Sequence, residues 1–378
     1  MRNLVLAAAC AICVQALYAG DVVSGVTLSQ DAVTKLVTVN YALSRDAVVT
    51  LAIEADGVEI ERKYLADSLG DVNRRVVATG AGEVRTILWK PTSSWMPVTA
   101  PTSLRAIVRV WPDSSPPDWL VCDLRTKRTS YYETEDEIPS GCVTNRLCKT
   151  EVLVMKKMHA AGVTWWMGDP SNTGTGANPY RKIRFTRDYY ISVYPTTQRQ
   201  VTWLRDGTIN APSANDVLPA LSAIVSEMNN THLPTYRTTT GLALSLPTSA
   251  QWEYACRAGT AETRFCAESE LGEYAWIPSN SGNVSHEVGT RKPNPWGLYD
   301  MLGNMNEYTA DYYSGSVSSS TVTEDDPAGP LTGTKWVYRG GSYMDNIQTA
   351  TSQFANGYSS ISTSLGFRLA ITLPQAEQ

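Results

Sequence analysis

GLYDMLGNMNEYTAD, residues 297–311, is the stretch on which the reading of this chain turns. Four apolar or aromatic residues, Leu298, Tyr299, Met301 and Leu302, open it, and turn formers and polar oxygens follow. Gly297 and Gly303 permit backbone angles that other residues resist. Asn304 and Glu307 stand three apart just after the second glycine. That spacing can bring an amide oxygen, a carboxylate and nearby carbonyls to one point. An all-oxygen cluster of this kind suits a hard cation, calcium ahead of magnesium. The same two side chains could instead cap local backbone groups in a tight turn, and from this stretch alone capping is the simpler reading.

Outward from that stretch, further motifs follow in a fixed order. TWWMGD (164–169), YYISVYPTTQRQVTWL (189–204) and LPTSAQWEYACRAGT (246–260) lie upstream, and RGGSY (339–343) and LGFRLA (365–370) lie downstream. Taken together they resemble the formylglycine-generating enzyme domain, also called the sulfatase-modifying factor domain, over roughly residues 149–373. The resemblance implies an α+β, loop-rich domain with an elaborated C-type-lectin-like architecture. Within it, residues 198–205 read as an amphipathic helix, with Val201, Trp203 and Leu204 on one side and Gln198, Arg199 and Arg205 on the other. Thr248 and Gln251 have the spacing of a capping box that starts a second helix. Loop-rich domains of this kind are often held by bound calcium, which returns attention to Asn304 and Glu307.

Family enzymes oxidise a substrate cysteine with copper held by two cysteines, which the resemblance places shortly after the RGGSY motif and separated by four residues. Thiolates are the soft ligands that copper(I) prefers. Aligned on residues 339–343, those positions are Asp345 and Ala350, and no cysteine follows Cys266. Copper is therefore not expected. The family's aromatic residue before the glutamate of its GNxWE motif is Asn306 here. The segment in place of the copper site, SYMDNIQTATSQFANGYSSISTS (342–364), is rich in Ser, Thr, Asn, Gln and Tyr. Such composition suits adaptable recognition, with Tyr giving rigid contact area and small polar residues giving hydrogen bonds. In that respect it is similar to the variable proteins of diversity-generating retroelements, which share this fold. Tyr343, Asp345, Asn346, Gln348, Asn356 and Tyr358 are the expected ligand-binding side chains, all at the surface; a solvated polar loop without a ligand is the competing reading.

The rest of the chain sets the context. Its 378 residues are 43% hydrophobic and 18% charged with a net charge of −5, so there is no basic footprint for nucleic acid. Residues 1–19 read as a secretory signal: Arg2, an apolar run too short to span a bilayer, and a small-residue cleavage site before Gly20. A lipoprotein signal ending at Cys10 is the second choice. Residues 20–112 alternate apolar and polar residues in short strands, as in a small all-β sandwich similar to a fibronectin type III module. Residues 33–43 and 47–57 read as a hairpin turned at Ser44-Arg45-Asp46. Residues 113–148 read as a linker, with the acidic run 133–137 as a solvated face. Residues 149–378 form the family domain.

Five cysteines, Cys122, Cys142, Cys148, Cys256 and Cys266, lie beyond the signal. In an exported chain some pairing is expected, with connectivity open. The three histidines show no metal-ligand spacing. Two functions compete. One is an exported, catalytically inactive family member that binds an unknown protein or surface ligand through its C-terminal segment. The other is a formylglycine-generating oxidoreductase acting on sulfatase cysteines. A structural cell-surface role is a third. The missing thiols favour the first.

Overall fold

The computed structural model describes residues 22–376, except 79, 81, 92–94, 96–100, 140–143, 171–179, 206–212, 223–224 and 316–318. The expected signal, 1–19, lies outside the described residues. Among the described residues no helix is long and apolar enough to cross a membrane. The chain divides into two compact units, residues 1–121 with 129–142, and residues 122–128 with 143–378.

The first unit is a β-sandwich. One sheet has the order Val23–Gln30, Val37–Leu43, Val84–Trp89, Leu69–Gly70, and the other is built on Ala47–Ala55, flanked by Val58–Glu59, Arg74–Val76 and Leu104–Trp111. Alternation supplies the core: Val37, Val39, Tyr41 and Leu43 from one strand meet Val49, Leu51 and Ile53 from the other sheet. The expected hairpin is not formed. Val37–Leu43 pairs with Val23–Gln30 and Val84–Trp89, whereas Ala47–Ala55 pairs across its length with Leu104–Trp111. The turn at residues 44–46 therefore carries the chain from one sheet to the other.

The linker reading of 113–148 also needs correction. Trp119–Asp123 and Arg128–Tyr132 are strands, and Glu135–Glu137 is a short helical turn. The acidic run is not a solvated face. Glu137 is buried, and Glu133 accepts hydrogen bonds from Arg62, Arg109 and Thr50. Arg62 and Arg109 also pair with Glu59, so the carboxylates sit in a cationic niche supplied by the short helical turn Arg62–Leu65 and the strand Leu104–Trp111.

The second unit combines short strands and helices with much irregular chain, the α+β, loop-rich fold expected. Val152–Met158, Tyr189–Ser192 and Ala370–Thr372 pair antiparallel. Thr164–Met167, Arg181–Arg184 and Ser320–Asp325 make a three-stranded sheet. A third sheet runs Asn356–Tyr358, Trp336–Arg339, Asn306–Tyr312, Leu365–Phe367. The helix Ser249–Arg257 starts with the expected box: Thr248 Oγ1 accepts from Gln251 N, and Gln251 Oε1 accepts from Thr248 N. The helix Gln198–Arg205 also forms, but Arg199 is buried and stacks over Trp203 rather than facing water. Cys148 is disulfide-bonded, while Cys256 and Cys266 are free thiols.

Candidate functional site

The first half of residues 297–311 is a compact turn. Leu298, Met301 and Leu302 enter a core with Trp252, Ala255 and Cys256. Gly303 has φ +71°, and a Cβ there would meet the Trp276 carbonyl at 2.4 Å, so only glycine fits. The second half becomes the strand Asn306–Tyr312, running antiparallel to Trp336–Arg339 and parallel to Leu365–Phe367. Three of the ordered motifs thus share one sheet.

That sheet holds Glu307 completely buried, and its carboxylate is fully engaged. Arg368 Nη2 donates to Oε1 at 2.7 Å, Arg368 Nε to Oε2 at 2.6 Å, and Trp252 Nε1 to Oε2 at 2.7 Å. Arg368 also donates to the carbonyls of Ser192 and Tyr299. A second buried cluster lies on Glu253, which accepts from Gly168 N, Arg257 and Arg339. Arg339 in turn donates to Ser249 Oγ and the Ser352 carbonyl. Gly168, Glu253, Glu307, Arg339 and Arg368 come from five different motifs, so the motifs build an ionic frame. Sequence reading missed this role. The available signal was charge embedded in otherwise apolar motifs.

The cation expected at Asn304 and Glu307 does not fit these donors. A guanidinium occupies the Glu307 carboxylate. Asn304 Oδ1 accepts from His286 N, and its Nδ2 donates to the His286 carbonyl, so Asn304 ties two loops together. Among the described residues no group of three or more His, Cys, Asp or Glu could hold a metal ion. Nearby Asp300 is buried, and that burial pushes its carboxyl up to about 6.

The segment following Arg339 turns sharply at Gly340 and Gly341, with φ +94° and +71°. That reversal corrects one expectation: Tyr343 is only 8% exposed. Its amide donates to the Asn304 carbonyl and its own carbonyl accepts from Ser281 Oγ, so it braces the turn from beneath. Ala350, Thr351, Ser352, Phe354 and Ala355 are buried as well. The surface part is smaller than expected. Asn346 caps the turn Ile347–Thr349 and is exposed, as is Gln348. Asn356 is half-buried, and Tyr358 is 39% exposed on the edge strand. Tyr338 lies between the two groups chemically: Asn356 hydrogen-bonds it, and Asp345 adds to the burial that raises its hydroxyl.

The two positions matched to the family's copper cysteines carry other chemistry. Asp345 Oδ2 accepts from Asn306 Nδ2 and Ser342 Oγ, each at 2.6 Å. Among the described residues no cation pairs with Asp345, and buried Asn306 Oδ1 has no hydrogen-bond partner. Ala350 is buried, its carbonyl accepting from Arg264 Nε. Burial drives the Cys256 thiol far above its ordinary range, and the Cys266 thiol is also pushed up, by burial first and by Glu270 next. Arg264 also donates to the Ile347 carbonyl, and Thr263 accepts from Ser352. The loop carrying them lines a cleft of about 520 Å³ with Phe265, Cys266 and Glu268, beside the turn of Asn346 and Gln348.

A loop-rich α+β domain, with short strands locked by buried Arg–carboxylate pairs, is the class that this fold and site define. The chain belongs to the sulfatase-modifying factor enzyme 1-like domain family, whose model matches residues 150–373. It is 34% identical over 144 residues to the formylglycine-generating enzyme of Streptomyces coelicolor, covering 33% of this chain and 46% of that protein. Against the enzyme of the same name from Mus musculus it is 34% identical over 152 residues, covering 35% and 40%. It is also 34% identical over 131 residues to the serine/threonine-protein kinase pkn1 of Chlamydia pneumoniae, covering 33% and 20%. The chain thus spans less than half the length of these relatives. Among solved structures, Treponema denticola variable protein 1 aligns with a TM-score of 0.51 at 23% identity, over 58% of this chain and 95% of that one, a likeness of fold.

Proposed function

We propose that this chain is an exported member of its family that binds a protein or surface ligand and does not generate formylglycine. The observation that carries this reading is the pair Asp345 and Ala350. A hydrogen-bonded carboxylate and a buried methyl stand where the family reaction needs two thiolates, and neither can hold copper(I). The alternative, an oxidoreductase acting on sulfatase cysteines, requires thiols that residues 267–378 do not contain. Export rests on the reading of residues 1–19 as a signal. Any structural calcium would have to be held by donors other than Glu307.

The binding face is Asn346, Gln348, Asp345, Asn356 and Tyr358, presented on a rigid frame beside the cleft of residues 260–270. The Asp345 carboxylate, half-buried and paired with no cation among the described residues, suits a ligand that donates hydrogen bonds. Tyr358 contributes apolar area with a polar tip. Pull-down with the full chain and with the triple variant Asn346→Ala/Gln348→Ala/Tyr358→Ala tests this face. A partner retained by the wild type should be lost by the triple variant at unchanged Tm, whereas Tyr343→Ala should lower Tm. Equal retention by the triple variant would remove this face from the account.

A further inference from the structure

A second concave surface lies on the sheet formed by Thr164–Met167, Arg181–Arg184 and Ser320–Asp325. Trp166 stands opposite Lys182, and Trp165 opposite Ile183, in the antiparallel register. Alternation sends Trp165, Met167 and Ile183 into the core and leaves Trp166 on the other face. There the Trp166 and Tyr180 rings lie one on the other, with centroids 4.5 Å apart and planes 8° from parallel. Trp166, Tyr180, Ser319, Ser320 and Thr321 line a cleft of about 440 Å³. None of the five is charged. Among the described residues, neither the Trp166 indole N–H nor the Tyr180 hydroxyl makes a hydrogen bond.

We propose that this cleft binds a neutral saccharide, at a site separate from the face assigned above. A pyranose presents a flat C–H face that lies well on an aromatic ring, and a rim of hydroxyls that needs neutral donors and acceptors. The aromatic pair supplies the first. The hydroxyls of Ser319, Ser320, Thr321 and Tyr180 and the indole N–H supply the second. Ser319 Oγ accepts from Tyr180 N, which leaves its own hydrogen available to a ligand. The volume falls within the roughly 300–1,000 Å³ of small-ligand sites. A purely apolar ligand would leave those polar groups unpaired at a cost. A nucleobase would stack equally well, but its phosphates would find no cation among the described lining residues, Lys182 opposite Trp166 lying outside them.

Isothermal titration of the full chain with neutral hexasaccharides built from glucose, mannose, xylose or N-acetylglucosamine tests this, with adenosine monophosphate as the nucleotide probe. At least one hexasaccharide should bind saturably. Trp166→Ala should weaken that binding about tenfold, the loss of roughly 1.4 kcal/mol of stacking. Should Trp166→Ala lower Tm, Tyr180→Ala and Thr321→Val read the same site without disturbing the sheet. Failure of every hexasaccharide on the wild type would overturn the proposal. So would wild-type affinity in all the well-folded variants, or tighter binding of adenosine monophosphate than of any saccharide.

Discussion

Arg368 and Glu307 meet inside the second unit as a fully enclosed pair, with both carboxylate oxygens within 2.7 Å of guanidinium nitrogens. Breaking one side of such a pair leaves an uncompensated charge in a dry site, which typically costs about 3–5 kcal/mol. Arg368→Met should therefore destabilise the second unit by about that amount. The double variant Glu307→Leu/Arg368→Met should recover part of the loss, because no buried charge then lacks a partner. Urea unfolding of the two variants measures both values. An Arg368→Met unfolding free energy within about 1 kcal/mol of the wild type would show that the pair is not an anchor.

The same contact decides what Glu307 can do with calcium. A ligand that binds only the folded state raises Tm as it is added. Glu307 already has Arg368 as its cation, and Asn304 already bonds His286 through both polar atoms. Calcium and chelator should therefore shift the Tm of Asn304→Ser by the same amount as the wild type. A calcium-dependent rise in the wild type that Asn304→Ser abolishes would restore the cation site.

Asp311 provides a pH signature. It is buried beside the Ser249 amide, and burial lifts its carboxyl up to about 6 from an ordinary 3.8. A raised folded value means the folded state binds more protons between about pH 4 and 6. Its contribution to stability is then present below pH 4 and lost as pH rises through 6. Asp311→Asn keeps an acceptor oxygen for Ser249 and removes the titration. The variant should gain stability relative to the wild type on going from pH 4.5 to pH 7, in urea melts at the two values. An unchanged difference would mean that Asp311 titrates normally.

What could be read from the sequence depended on whether the partner was local. Thr248 and Gln251 sit three apart, so their reciprocal cap was legible, as was the alternation that fills the sandwich core. The turn at residues 44–46 was not, because nothing nearby shows that Ala47–Ala55 takes Leu104–Trp111 as its partner. Glu133 looked solvated because Arg62 and Arg109, which neutralise it, lie far away in the chain. The motif order gave the second unit's fold, while the burial of Tyr343 followed from the reversal at Gly340 and Gly341, a backbone effect that side-chain composition does not carry.

One assay tests directly the proposal that this chain does not oxidise substrate cysteines. The full chain, loaded with copper and supplied with oxygen and reductant, is incubated with a sulfatase-type cysteine peptide, and the peptide is read by mass spectrometry. With Asp345 and Ala350 in the copper positions, the peptide should keep its cysteine, at the level of a control without protein. Formylglycine peptide above that control would contradict the account and make the chain an oxidase that works without the two thiolates.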